Sequence, residues 1–265
     1  MTTSGSEGRQ APAQPGPAGP LYEAERLTRP EVAEILARRP LAILPIGSTE
    51  QHGPHLPLGT DTILAQEVGR RLAAATGGLL FPPLPLGYAW VWRDIPGTLT
   101  IDEATLQQVL KDIAHNLHRQ GVRTLVLLNG HGANESAMKY AVRELADEIP
   151  MQVLNLSYFN FFGDATRLIQ SPKWLGTFHA CEIETSLMLA VRPELCRMDR
   201  AVREYPEAPP TYGISPVSMG DLSRSGVYGD PTLASAEKGS QLLDAAVARL
   251  VEVIAFAEAE AGSNA

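Results

Sequence analysis

Three short polar clusters carry three of the chain's six histidines together with most of the acidic residues that metal chemistry would use. They are Glu50-Gln51-His52 followed by Asp61, Asn129-Gly130-His131-Gly132, and His179-Ala180-Cys181-Glu182. Each lies where an apolar run gives way to a loop or a helix start. Brought together, they offer enough carboxylate and imidazole donors for two divalent cations sharing one carboxylate. The chemistry that follows is hydrolysis by a nucleophile generated from metal-bound water.

Each cluster also has a plainer reading. Glu50 and His52, one residue apart, project to the same side of an extended segment; the alternative is a loop carboxylate beside a surface imidazole. Asp61 stands where it would cap a helix beginning at Thr62. Glycines flanking His131 allow unusual backbone angles and close approach of a ligand, but a turn accounts for them without accounting for the histidine. His179 and Glu182, at i and i+3, share a helix face if the helix starts that early. Glu184 then falls on a different side and takes a structural role, bonding backbone groups near the site. His115 and His118 sit mid-helix and read as a solvated face, and His55 reads as a loop-packing residue close to the site.

The elements that must position these clusters alternate between strand and helix. Apolar runs at Leu41–Ile46, Leu79–Leu84, Thr124–Leu128 and Gln152–Leu156 predict strands. Helices are predicted around Glu31–Leu36 and over Thr62–Ala75, Asp102–Arg119, Asn134–Glu148, Glu182–Val191 and Ala234–Glu260. Gly47 to Thr60 is punctuated by glycine and proline and is a loop, and Gly87 to Arg93 reads as a surface loop near the site. Such alternation implies an α/β fold with a mostly parallel sheet covered on both faces. In these sheets ligands collect beyond the carboxyl ends of the strands, where both the Glu50/His52 and His131 clusters fall.

The 265 residues, 44% of them hydrophobic, suffice for one sizeable core without a disulfide. A formal charge of −8 argues against a general nucleic-acid or membrane-surface binder. It leaves the sign of a small substrate open, because bound metals would dominate the local field. Two cysteines and no secretory signal point to a reducing cytoplasm. Residues 1–20, rich in Gly, Pro, Ser and Ala, read as a disordered tail ahead of a single domain over 21–265. There is no apolar stretch of membrane-span length, Walker loop or dinucleotide glycine fingerprint.

The clusters together resemble the creatininase (creatinine amidohydrolase) family. The resemblance rests on Gly47-Ser48-Thr49-Glu50-Gln51-His52-Gly53-Pro54-His55-Leu56-Pro57-Leu58 with Asp61, on Pro96-Gly97-Thr98, and on Asn129-Gly130-His131-Gly132-Ala133-Asn134. It continues in His179-Ala180-Cys181-Glu182-Ile183-Glu184-Thr185-Ser186 and Gly226-Val227-Tyr228-Gly229-Asp230-Pro231. The blocks run in family order from about residue 40 to 240 and are specific in combination. The resemblance implies a creatininase-like single-domain layered sandwich, a binuclear centre of Zn and/or Mn, with Fe possible, and a homohexamer built as a trimer of dimers. It assigns Glu50, Asp61 and His131 to one ion, and His52, the shared Asp61 and Glu182 to the other, with His179 as the proton-transfer residue.

Two positions depart from the family pattern. Ala133 stands where creatininase itself carries a ligating glutamate, with Glu182 in the place of a substitute ligand, which weakens the case for creatinine as substrate. Cys181 replaces a usual glycine and is assigned to packing. Trp90, Trp92 and Trp174 are either pocket walls or ordinary core and stay outside the catalytic set. The activity implied is hydrolysis of a small non-peptide amide, cyclic or linear. Alternatives are trimming of a precursor peptide in cofactor or natural-product maturation, hydrolysis of a formamide or cyclitol ketone, and, from another class, a catalytically silent metal-binding assembly protein.

Overall fold

Leu41–Ile46 (β2) and Thr124–Asn129 (β4) are buried at every residue, which is why they read as unbroken apolar runs rather than alternating ones. They pair in parallel at the centre of a five-stranded sheet, order β1-β3-β2-β4-β5. The outer strands are Tyr22–Glu23 (β1), Leu79–Leu80 (β3) and Gln152–Ser157 (β5), and every pairing is parallel. The computed structural model describes residues 19–175 and 179–263. Of the expected tail, residues 1–18 lie outside the described residues.

Because side chains alternate across a strand, the two central strands feed two separate cores. Leu41, Ile43, Val126 and Leu128 pack with helices α2 (Thr60–Thr76), α5 (Glu182–Val191) and α7 (Ala236–Ser263). Ala42, Leu44, Leu125 and Leu127 pack with α1 (Arg29–Arg38), α3 (Glu103–Arg119) and α4 (Glu135–Glu148). The product is a three-layer α/β sandwich, as the strand–helix alternation predicts.

Several boundaries differ from the sequence reading, each for a local reason. The strand expected through Leu84 stops at Leu80, because Pro82 and Pro83 lack the N–H a ladder requires; pairing resumes only as a single bridge between Leu84 and Ile46. β1 is two residues long and leaves no periodic signal. The segment Gly87 to Arg93 is not a surface loop: Ala89 and Trp92 are buried, and Trp90–Trp92 forms a 3-10 turn. Trp92 joins Trp174, Met219 and Tyr228 in a small third core above the strand ends. Met219 belongs to the short helix α6 (Met219–Leu222). Among the described residues, no helix is long and apolar enough to cross a membrane.

Candidate metal centre

The carboxyl ends of three strands lie level, Ile46 beside Asn129 and Asn129 beside Ser157 in the parallel register. The loops leaving β2 and β4 therefore open onto the same patch, and they carry Glu50, His52 and His131. Asn134 ties them together: its amide nitrogen donates to the Gly47 carbonyl at 3.1 Å, and its Oδ1 accepts from Tyr88 N at 2.9 Å. Asn129 Oδ1 accepts the His131 backbone N–H at 3.0 Å, aiming the imidazole inward.

Asp61 reaches the same patch from α2. The helix begins at Thr60 rather than Thr62, so Asp61 lies inside the first turn and its carboxylate caps nothing. It points instead between two imidazoles, with Oδ1 3.1 Å from His52 Nε2 and Oδ2 3.0 Å from His131 Nδ1. The free N–H groups of that first turn favour a carboxylate there. Gly130 permits this approach, since a Cβ on it would stand 2.5 Å from the Asp61 carbonyl oxygen. Gly130 and Gly132 both keep ordinary negative φ, so close approach, not unusual backbone angles, explains the first of them.

The third cluster enters with a changed partner. Helix α5 starts at Glu182, and Ala180 before it adopts a left-handed backbone (φ 49°), so His179 is not in the helix. The i, i+3 pairing expected for His179 and Glu182 therefore does not form. Glu182 turns away: its Oε1 accepts from Lys238 Nζ at 2.5 Å and its Oε2 from the backbone N–H groups of Gln170 and Ser171 at 2.9 and 2.7 Å. Glu184 faces the centre, with Oε1 3.9 Å from His52 Nε2. It also performs the backbone role the sequence suggested, since Oε2 accepts from Ala180 N at 2.5 Å. Two residues of one type, two apart in one short block, cannot be told apart by type; only where the helix starts separates them.

His179 is held on three sides. Its Nε2 lies 2.8 Å from both the backbone carbonyl and the side-chain nitrogen of Gln51, which leaves Nδ1 facing Glu50 Oε1 at 3.7 Å. The ring stacks on Trp92, centroids 4.5 Å apart at 25°, and leans on the His52 ring at 4.4 Å. Sequence reasoning left Trp92 open between pocket wall and ordinary core; it lines the cavity, and nothing in its spacing signals the imidazole it stacks on. His55 is buried and lies 2.9 Å from Thr185 Oγ1, bracing the loop against α5. Cys181 is packed in the main core, and burial pushes its thiol up to about 12, away from the thiolate a metal would need.

Glu50, His52, Asp61, His131, His179 and Glu184 are all buried, Glu184 being the most exposed at 9%. Their donor atoms form three overlapping sets with members within 4.8 Å of one another: Glu50/Asp61/His131, His52/Asp61/Glu184 and Glu50/His52/His179. Buried Glu50 Oε1, His52 Nε2 and Asp61 Oδ2 have no hydrogen-bond partner, although charged neighbours stand about them. Native interiors seldom tolerate such atoms without an ion or water to satisfy them.

The electrostatics agree. Burial pushes Glu50 and Glu184 up to about 7. Burial disfavours the charged imidazoles, yet Asp61 outweighs it at His52, lifted to about 10, and Glu50 with Asp61 does so at His131, lifted to about 9. Asp61 is also buried, but the two imidazoles hold it below the usual carboxylate range. The backbone carbonyl of Glu50, 3.2 Å from His52 Nδ1, and that of Tyr88, 3.0 Å from His131 Nε2, fix both tautomers so that His52 Nε2 and His131 Nδ1 face the centre. Oxygen and imidazole donors in this ratio suit a divalent transition metal.

A layered α/β domain with such a carboxylate–imidazole cluster beyond its strand ends is the framework of a hydrolase. The family model described as "Creatinine amidohydrolase" matches residues 25–254, and the chain belongs to the creatininase family. It is 35% identical to a creatinine amidohydrolase of Pseudomonas putida over 84% of this chain and 91% of that protein. It is 34% identical to a mycofactocin precursor peptide peptidase of Mycobacterium ulcerans, over 80% and 84% of the two chains. A crystal structure of creatininase superposes with a TM-score of 0.77 at 32% identity, covering 88% of this chain and 96% of that one. Further solved creatininases include a mutant described as the Zn–Zn type and one described as the Mn form, with TM-scores of 0.75 and 0.76.

Proposed function

We propose that the protein is a binuclear metal-dependent amidohydrolase that cleaves the C–N bond of a small non-peptide amide. The observation that carries this reading is Asp61, whose two carboxylate oxygens face two histidines of opposite loops at 3.1 and 3.0 Å in a buried, under-bonded cluster. Glu50, Asp61 and His131 would hold one ion, and His52, Asp61 and Glu184 the other. Two divalent ions, when bound, supply the acidity that makes water a nucleophile near neutral pH and the charge that polarises a carbonyl.

The chain's own residues do the rest. His179 has its Nε2 engaged by Gln51 and presents Nδ1 to the reacting atoms. In this reading Nδ1 takes a proton from the attacking water and returns it to the leaving nitrogen, a task suited to imidazole. Trp92 fixes the plane of that ring and closes it from solvent on one face. A cavity of about 430 Å³ opens beyond Glu50, Asp61 and Glu184, which suits a small molecule.

Ala133 lines this cavity, leaving room beside His131 where creatininase itself carries the glutamate. Removal of a carboxylate there supports a substrate other than creatinine. The 34% identity to a precursor peptide peptidase favours peptide trimming as the second reading. Family membership also supports a homohexamer with Zn or Mn at each centre, whose assembly a mass measurement in solution tests, and the sparse cysteines support a cytoplasmic location.

The deciding experiment is metal analysis of protein purified without chelator, followed by a screen of cyclic and linear amides, formamides and short peptides with Mn²⁺ and Zn²⁺. More than one metal equivalent per chain and turnover of a non-peptide amide are expected. Cleavage of peptides alone would transfer the reading to a peptidase, and a metal-loaded protein inert toward every class would make it an assembly protein.

A further inference from the structure

Of the three donor sets about the centre, the function proposed above uses two. The third, Glu50/His52/His179, is left over. Distance does not set it apart: Glu50 Oε1 lies 3.7 Å from His179 Nδ1, inside the 3.0 to 3.9 Å span of the pairs assigned to the two ions. Both residues are buried, and Glu50 Oε1 is one of the side-chain atoms without a hydrogen-bond partner. The unsatisfied oxygen of Glu50 is thus the one that faces His179.

His179 is also mounted like the two ligand histidines. Each of the three has one ring nitrogen against a backbone carbonyl: Glu50 for His52 Nδ1 at 3.2 Å, Tyr88 for His131 Nε2 at 3.0 Å, and Gln51 for His179 Nε2 at 2.8 Å. Proteins orient metal-binding imidazoles in this way, with the far nitrogen donating to a carbonyl while the near one ligates. The Gln51 side-chain nitrogen, which donates to the Gly226 carbonyl at 3.1 Å, lies 2.8 Å from the same Nε2 and closes that side of the ring.

The sets are not independent. With its Nδ1 on the Glu50 carbonyl, His52 has Nε2 to offer, and one nitrogen cannot serve two ions. An ion on His52 therefore completes its shell on one side or the other, with Asp61 and Glu184 or with Glu50 and His179. Glu50 can join the second arrangement without releasing the first ion, because its Oε2 lies toward His131, 3.3 Å from Nε2, while Oε1 lies toward His179. The two positions differ in chemistry, one imidazole with two carboxylates against two imidazoles with one carboxylate. Carboxylate-rich sets suit Mn²⁺, whereas imidazole favours Zn²⁺.

We propose that the ion on His52 has two positions, a Mn²⁺-selecting one on Asp61 and Glu184 and a Zn²⁺-selecting one on Glu50 and His179, and that occupancy of the second switches the protein off. His179 Nδ1 bound to a cation has no lone pair with which to take a proton from water. The inference rests on the amidohydrolase reading and adds regulation by metal identity to it.

The test loads metal-free protein with Zn²⁺ or Mn²⁺ to measured content and locates the ions by anomalous diffraction from crystals of each form. The second Zn²⁺ is expected among Glu50, His52 and His179, and the second Mn²⁺ among His52, Asp61 and Glu184. In solution, His179→Ala should weaken the second Zn²⁺ by at least about tenfold, since loss of even an outer-shell partner costs about 10–100-fold in metal affinity. The second Mn²⁺ should bind that variant as it binds the parent. Zn²⁺ titrated into the Mn²⁺-loaded parent should lower kcat in step with its uptake, and excess Mn²⁺ should restore it. A second Zn²⁺ beside Glu184, a Zn²⁺ affinity that His179→Ala leaves unchanged, equal weakening of both metals, or full turnover with Zn²⁺ on His179 would each overturn the proposal. Those outcomes leave the amidohydrolase reading in place; a protein that takes up neither metal would remove both.

Discussion

Glu182 and Glu184 leave the same helical turn in opposite directions: Glu182 meets Lys238 Nζ at 2.5 Å, and Glu184 meets His52 Nε2 at 3.9 Å. One fastens the start of α5 to α7 and to the segment carrying Lys173; the other completes the second donor set around Asp61.

The two glutamates should therefore fail differently. Glu184→Gln is expected to lose about one metal equivalent per chain while the melting temperature of the metal-free protein holds or rises, because a buried carboxyl disfavoured by desolvation is removed. Glu182→Ala should retain both metals but destabilise the fold by about 2–3 kcal/mol, since it strips the partners from two backbone N–H groups and an ammonium. Metal analysis and thermal melts of both variants check this. A Glu182 variant that lost metal with unchanged stability would reverse the assignment.

His131 and His179 separate binding from turnover. His131 Nδ1 faces Asp61 at 3.0 Å, and His131→Ala should lose metal and activity together. His179→Ala should keep its metal and lose about 10²–10⁴-fold in kcat, the range of a positioned proton-transfer group. Normal turnover by the His179 variant would remove the role given to Nδ1.

The metal-free protein should become less stable as pH rises. Glu50 and Glu184, raised from 4.5 to about 7, and His52 and His131, raised from 6.5 to about 10 and 9, all bind protons more tightly folded than unfolded. Their contribution is full below the unfolded values and is lost as pH climbs through about 7 and then 9–10. Asp61, whose carboxyl is lowered, works the other way in acid, and His55 and His179, whose imidazoles burial holds low, work the other way below their ordinary value of 6.5. Metal must displace the same protons, so metal affinity should rise over the same range. Melts with chelator should shift downward from about pH 7 to about pH 10, and the stabilisation gained on adding Mn²⁺ should grow. A metal-free melting temperature flat across that range would contradict the cluster's geometry.

Much of the scaffold was legible in the chain because its signals are local. Leu41–Ile46 and Thr124–Leu128 are apolar at nearly every position because they are buried on both faces, and the polar clusters after them fall on the sheet edge that collects ligands. Boundaries were less legible where backbone chemistry intervenes, as where Pro82 and Pro83 end β3. The apparent surface loop at Gly87–Arg93 is buried in part because Trp92 finds its partners, Trp174 and Tyr228, more than eighty residues away.

The residue types of the centre and their place beyond the strands were determined by the sequence alone: four of the five expected ligands and His179 do meet. Which glutamate joins them was decided only in three dimensions. Side-chain direction in a helix depends on where the first turn begins, and a left-handed Ala180 moved that start past His179. The tertiary structure likewise put Trp92 on His179, because that contact joins segments far apart in the chain and no spacing rule reaches across that distance.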